Sequence, residues 1–484
     1  MSARIGSSWA RSILENLEAL AIAVVMALVL KYFLIEAYKI PTGSMQPTIM
    51  GDSTTGVFDR VLVNKLVYFF REPRRFEVIV FKNPLYQRQN YIKRLVAFGG
   101  ERLTIRNGDL WVSRNPQEEA SVQRKPDSVW RSVRKRIWPL ENGQSLRQFL
   151  EIEGDAQIQG DEIRFSGQES RHCQVRNTRP IVDGYYDGYH PLLVNGSGRS
   201  HATDHHGDGN AVGDIEISAV LTPGANAGIV VAIAESDRVH ELRIDSRQET
   251  SIVATGLRDP NARIQNERIV FKGESPSLRP GKKTRFSFRN VDDELVLVVD
   301  GEEIVRHQYL SAGVDLRFET LFSIAVEGEA RVENLRVYRD IHYLPTGERQ
   351  NLQQATYVVP EGHLFALGDN TQNSSDSRAW ETVTFRWKEM KDGKEIVREE
   401  VGNHYKGGAL NPDTNPRAVR DTTLFRNIFG QLHTIPGDRV LGHFANQEIA
   451  SYNSLPGEML LGKALAVFWP LRPFSPVWRL KWVR

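Results

Sequence analysis

The sequence predicts a mainly β protein that begins with a single apolar helix. Three observations carry this expectation. Between about residues 57 and 112, short runs alternate apolar and polar side chains, as in Arg60-Val61-Leu62-Val63 and Phe76-Glu77-Val78-Ile79-Val80-Phe81, and a period of two marks a half-buried strand. A second series runs from Ile215 to Tyr338, with Gly228-Ile229-Val230-Val231-Ala232-Ile233 as a buried run and an Asp300-Gly301 turn after Leu295-Val296-Leu297-Val298-Val299. Ahead of both, Ala19 to Leu30 is unbroken apolar sequence.

Each element follows from its residues. Counted from Ile13, with Glu15, Glu18 and Lys31 tolerated near the ends, the apolar stretch reaches roughly 20 residues, enough for a tilted transmembrane helix whose Lys31 snorkels to the headgroups. Residues 1–12 are then a cytoplasmic amino terminus, because Arg4 and Arg11 favour the inner side, and 13–36 form the span. A cleavable secretory signal is the competing reading, although no small-x-small site follows the run closely. Residues 37–115 form the first β segment, where Asn107-Gly108 joins Leu103–Arg106 to Asp109–Val112 as a hairpin signal. Residues 116–204 change character, rich in Arg, Trp and Ser and then in Tyr, Gly, Asp and His, and read as a basic, loop-like insertion. The unit 205–340 reads as a β-sandwich whose pattern is loosely similar to concanavalin-like jelly rolls. Apolar patterning resumes over 341–385 and 454–484, separated by a second polar insertion at 386–453.

Composition limits the function classes. With a net charge of +2 and 25% charged residues, no overall field argues for nucleic acid. The lone Cys173 excludes an internal disulfide framework and reads as structural.

Chemistry concentrates in three segments. Pro41-Thr42-Gly43-Ser44-Met45-Gln46-Pro47-Thr48 offers a serine nucleophile just beyond the apolar stretch. A serine hydroxyl needs a base, and Asn90-Tyr91-Ile92-Lys93-Arg94-Leu95 supplies a lysine. Lys93 can serve near neutral pH only if burial among neighbours such as Tyr91, Ile92 and Leu95 disfavours its ammonium form. Gly368-Asp369-Asn370-Thr371-Gln372-Asn373-Ser374-Ser375-Asp376-Ser377-Arg378 adds a polar constellation.

Together these segments resemble the type I signal peptidase (leader peptidase) family, over roughly residues 17–112, 355–385 and 455–470. The resemblance implies an all-β catalytic core split by the insertions, a Ser-Lys dyad of Ser44 and Lys93, and no cofactor or metal. It also implies a lysine-orienting Ser374 and an oxyanion donor at Thr42, where the family keeps a hydroxyl. Asp369, Asp376 and Arg378 would brace the site. Phe76-Glu77 stands where the family often has Gly-Asp, a change expected to be harmless. The implied partners are signal peptides of exported preproteins and the lipid bilayer, with envelope polysaccharide as a further partner for the sandwich. The implied location is the cytoplasmic membrane, single-pass, with the catalytic domain outside. Two rivals remain: a self-cleaving repressor peptidase, which would lack the apolar helix, and a membrane-anchored glycan-binding envelope protein with a vestigial peptidase core. The cluster His201, Asp204, His205, His206 and Asp208 leaves a metal loop open.

Overall fold

The computed structural model describes residues 5–29, 34–51, 58–115, 117–139, 145–166, 173–178, 180–184, 209–225, 227–235, 238–245, 251–256, 267–270, 279–309, 321–346, 354–405, 414–441, 448–470 and 479–484. The His201–Asp208 cluster lies outside them. The chain is mainly β. Its long helix, Ile5–Val29, carries exposed Leu14, Leu17, Leu20, Ile22, Val25 and Met26. Among the described residues, no helix is long and apolar enough to cross a membrane.

One sheet gathers strands from three distant parts of the sequence. Its order is Ile35–Lys39, Arg60–Asn64, Leu460–Trp469, Val78–Asn83, Tyr86–Phe98, His363–Leu367 and Leu455–Pro456, with Lys481–Trp482 on Leu460–Trp469. Apolar alternation explains the arrangement: Val61 and Val63, Val78 and Val80, and Ala464 and Val467 meet in one core with Met45 and Ile49. A second, four-stranded sheet holds Gln354–Val358, Arg102–Arg106, Asp109–Ser113 and Ser121–Val122. The expected hairpin is there, with Asn107 and Gly108 both at positive φ (57° and 93°), the geometry a tight two-residue turn demands.

The sandwich consists of two sheets. The first runs Ala156–Gln159, Glu162–Ser166, Glu329–Arg339, Ile215–Pro223, Thr284–Val291, Glu294–Val299, Glu302–Gln308, with Lys135–Trp138 paired to Glu329–Arg339. The second runs Glu267–Val270, Ser251–Gly256, Arg238–Asp245, Gly228–Glu235, Leu321–Glu327, Cys173–Asn177, Leu150–Glu153. Both sheets therefore recruit strands from 135–177, a stretch read from sequence as a separate insertion ending at 204. These strands are only four or five residues long and their outward faces are strongly polar, so the alternation is faint. Their inward residues, Ile158, Ile163, Phe165, Cys173 and Val175, are nonetheless buried in the sandwich core. The 386–453 stretch is also β: Glu381–Lys391 pairs with Lys394–Asn403, and Val383, Phe385, Trp387, Phe425 and Ile435 form a small core.

Candidate active site

The nucleophile candidate sits in a turn bound to the loop that follows His363–Leu367. Asn370 N–H donates to the Ser44 carbonyl at 3.1 Å, and Asn370 Nδ2 donates to the Gly43 carbonyl at 3.2 Å. Lys93 comes from the Tyr86–Phe98 strand, paired opposite Ile79. Its Nζ donates to Ser44 Oγ at 2.8 Å, and both residues are buried. The Tyr91 ring lies 5.4 Å from the same nitrogen. Burial lowers the Lys93 pKa from 10.5 to about 8 against the pull of Asp376 and Asp369, while the Arg378 charge assists. A minor neutral fraction, about one in ten, is therefore available at pH 7, and a neutral amine can accept the serine proton.

The loop 368–378 fixes this pair from one side. Arg378 grips Asp376 through two parallel hydrogen bonds, Nε to Oδ1 at 2.9 Å and Nη2 to Oδ2 at 2.7 Å, with both side chains buried. Burial alone would raise the Asp376 pKa. The Arg378 charge and bonds, the Gly368 N–H and the nearby Ser374 hydroxyl outweigh burial and hold it below the ordinary value. Ser374 Oγ is buried near Asp376, and among the described residues it makes no hydrogen bond to Lys93. Gly368 is obligatory: a Cβ there would lie 2.1 Å from Ser374 Oγ and 2.5 Å from the Ser44 carbonyl oxygen. Thr42 is exposed at the mouth of the turn. The Ser44 N–H makes no hydrogen bond among the described residues, which leaves it free as a donor.

A second buried ion pair supports the site; the sequence singled out Asp369 as a brace but not its partner Arg94. Arg94 donates to Asp369 from Nε and Nη2, both at 2.7 Å, and Thr48 Oγ1 also donates to Asp369. Arg94 and Asp369 are fully buried. Arg94 Nη1 donates to the Phe76 carbonyl at 2.6 Å. Phe76 itself adopts φ 69°, the left-handed region that disfavours a bulky side chain. The Phe76-Glu77 replacement thus carries backbone strain, compensated by burial of the ring and by this bond. Arg479 ties the same turn from the far end of the chain, donating to the Pro47 and Thr48 carbonyls at 3.0 and 2.8 Å.

The family model described as signal peptidase, peptidase S26 matches residues 13–173 and 298–390, more than half of the chain. The chain belongs to this signal peptidase family. Signal peptidase I of Leptolyngbya laminosa is 34% identical over 126 residues, 24% of this chain and 59% of its own length. The probable signal peptidase I-1 of Synechocystis sp. is 34% identical over 137 residues, 27% and 66% respectively. The Arabidopsis thaliana thylakoidal processing peptidase 1 is 34% identical over 131 residues, 24% and 37%. The chain thus spans less than two thirds of the length of each of these relatives. A solved carbohydrate-binding module, CBM66 from Bacillus subtilis, overlaps 40% of this chain and 96% of its own at 10% identity and a TM-score of 0.25, too low to carry an argument. Within this signal peptidase family member, Arg94 and Thr48 had one sequence signal, their adjacency to Lys93 and to the Ser44 turn.

Proposed function

We propose that the chain is a membrane-anchored serine endopeptidase that removes signal peptides from exported preproteins. The hydrogen bond between Lys93 Nζ and Ser44 Oγ in a buried setting carries this reading. Neutral Lys93 takes the Ser44 proton as Oγ attacks the scissile carbonyl. The Ser44 N–H and the Thr42 hydroxyl stabilise the oxyanion, and Lys93 then passes the proton to the leaving amine. A water activated by the same amine hydrolyses the acyl-enzyme. Ser374 steadies the amine once substrate closes the site, and the Asp376–Arg378 and Arg94–Asp369 pairs keep the loop in register.

Anchoring rests on the helix Ile5–Val29, whose apolar side chains between Ile13 and Met26 are exposed among the described residues, a state that a bilayer relieves. Phe69 and Phe70, both more than 80% exposed, stand beside a groove lined by Leu34, Ile35, Leu66, Val67 and Leu465 where the chain leaves the helix. This arrangement supports a catalytic face held at the membrane surface. We assign the sandwich, redrawn as 135–339, to a passenger role, with envelope polysaccharide as its ligand class; sedimentation with isolated envelope polymer tests that role.

The deciding experiment is cleavage of a model preprotein by the full chain in detergent. Ser44→Ala and Lys93→Ala should each abolish turnover, and the double variant should be no worse, because neither group works alone. Retained turnover in Lys93→Ala would refute the dyad, and a folded wild-type chain with no turnover would favour the vestigial-core reading.

A further inference from the structure

A group of carboxylates lies where the hairpin sheet meets the sandwich, outside the peptidase machinery. Asp109 opens the strand Asp109–Ser113, Asp214 precedes Ile215–Pro223, and Asp292 sits in the turn after Thr284–Val291. Each offers a carboxylate oxygen, and the three lie within 4.8 Å of one another. A fourth, Asp340, follows Glu329–Arg339. Lys125 Nζ bridges Asp292 Oδ1 at 2.5 Å and Asp340 Oδ2 at 2.6 Å. Lys125 offers one positive charge against four carboxylates.

One oxygen points to a missing partner: Asp109 Oδ1 is buried without a hydrogen bond among the described residues, on a residue 8% exposed. A buried carboxylate oxygen with neither donor nor cation is costly. Asp214, unlike Asp109 and Asp292, keeps partial contact with solvent.

We propose that Asp109, Asp214 and Asp292 form a binding site for a hard divalent cation, Ca²⁺ by its chemistry, that ties the sandwich to the catalytic core. All-oxygen donors, with no histidine or thiolate, select a hard cation such as Ca²⁺ over softer metals. One such ion takes the four carboxylates and Lys125 from a formal charge of −3 to −1. The site also has a short path to the peptidase loop. Beyond Asp340, Tyr343 N–H donates to the Gly108 carbonyl at 3.0 Å, the His342 carbonyl accepts from Thr371 Oγ1 at 2.7 Å, and the Leu344 carbonyl accepts from Arg378 Nη1 at 2.9 Å. The inference stands whether or not the peptidase reading holds, and it departs from the expectation that the chain carries no metal.

The test is thermal unfolding and Tb³⁺ luminescence of the full chain in detergent at pH 7.5, with Ca²⁺, Mg²⁺ or chelator. Ca²⁺ should raise Tm in a saturable way and displace Tb³⁺. Asp109→Asn and Asp214→Asn should weaken Ca²⁺ binding at least about tenfold and erase the Ca²⁺-dependent Tm rise, while raising Tm in chelator because a buried repulsion is removed. Asp300→Asn, in an exposed turn of the same sandwich, should respond to Ca²⁺ as the wild type does. The proposal fails if Ca²⁺ leaves the wild-type Tm unchanged while Asp109→Asn raises it, since the cluster then shares protons instead. It fails equally if the two cluster variants keep the full Ca²⁺ response.

Discussion

Lys93→Met should make the protein more stable and catalytically dead, with a gain that depends on pH in a defined direction. Folding lowers the Lys93 pKa from 10.5 to about 8. At about 1.36 kcal/mol per unit, holding this amine in the folded state costs about 3 kcal/mol wherever the unfolded lysine is charged and the pH lies below the folded value. The cost is complete below pH 8, shrinks as pH rises towards 10.5 because the unfolded chain then binds the extra proton less, and is gone above that. Met fills similar space without a charge but loses the bond to Ser44 Oγ, worth about 1 kcal/mol. The net gain is therefore about 2 kcal/mol at pH 7, near zero at pH 9.5 and negative above 10.5. Denaturant or thermal unfolding of the full chain in detergent at pH 7 and 9.5 reads this difference. In the wild type, the same pKa makes about one lysine in ten neutral at pH 7, so kcat/KM should climb roughly fiftyfold between pH 6 and 8 and level off above 9. A Lys93→Met variant destabilised equally at both pH values, or a wild-type limb near pH 10.5, would refute the reasoning.

Thr42→Val keeps the shape but removes the hydroxyl and should lower kcat by about 10- to 1,000-fold with little change in KM, whereas Thr42→Ser should be nearly neutral; equal behaviour of the two would remove Thr42 from the oxyanion site. Asp369→Asn leaves the fully buried Arg94 without its charge partner and should cost about 3–5 kcal/mol, seen as a large fall in Tm. Replacing 135–339 with a short Gly/Ser linker should leave cleavage of a short peptide intact, because Lys135 and Arg339 are paired neighbours at the two ends of the excised segment. The narrower excision of 205–340 strands Leu150–Glu153 and Cys173–Asn177 without their sheet and should yield aggregated protein on gel filtration.

Ser44, Lys93 and the 368–378 loop were legible because their chemistry is written in short contiguous motifs, each flanked by strand or turn signals. The pairing of Arg94 with Asp369 was harder. Their bond spans 275 residues of sequence, and an arginine beside the base reads as surface until the fold buries it. The Asn107-Gly108 hairpin was plain because the turn chemistry is local. The sandwich boundary was misplaced for the opposite reason: strands such as Ala156–Gln159 bury a single apolar residue, and their membership is decided by partners far along the chain. The Asp109, Asp214 and Asp292 cluster could not have been found from spacing, since each member belongs to a different strand connection.

The position of Leu460–Trp469 between Arg60–Asn64 and Val78–Asn83 sets an order of events during synthesis. The two flanking strands emerge early, with Ser44 and Lys93 close behind the helix, yet the seam between them stays open until the chain has passed through the sandwich and the polar hairpins. Non-local closure of this kind is slow and leaves strand edges unpaired meanwhile. A nascent chain therefore holds Ser44 and Lys93 long before the sheet that aligns them exists, and assembly of the candidate site waits for the arrival of Leu460–Trp469.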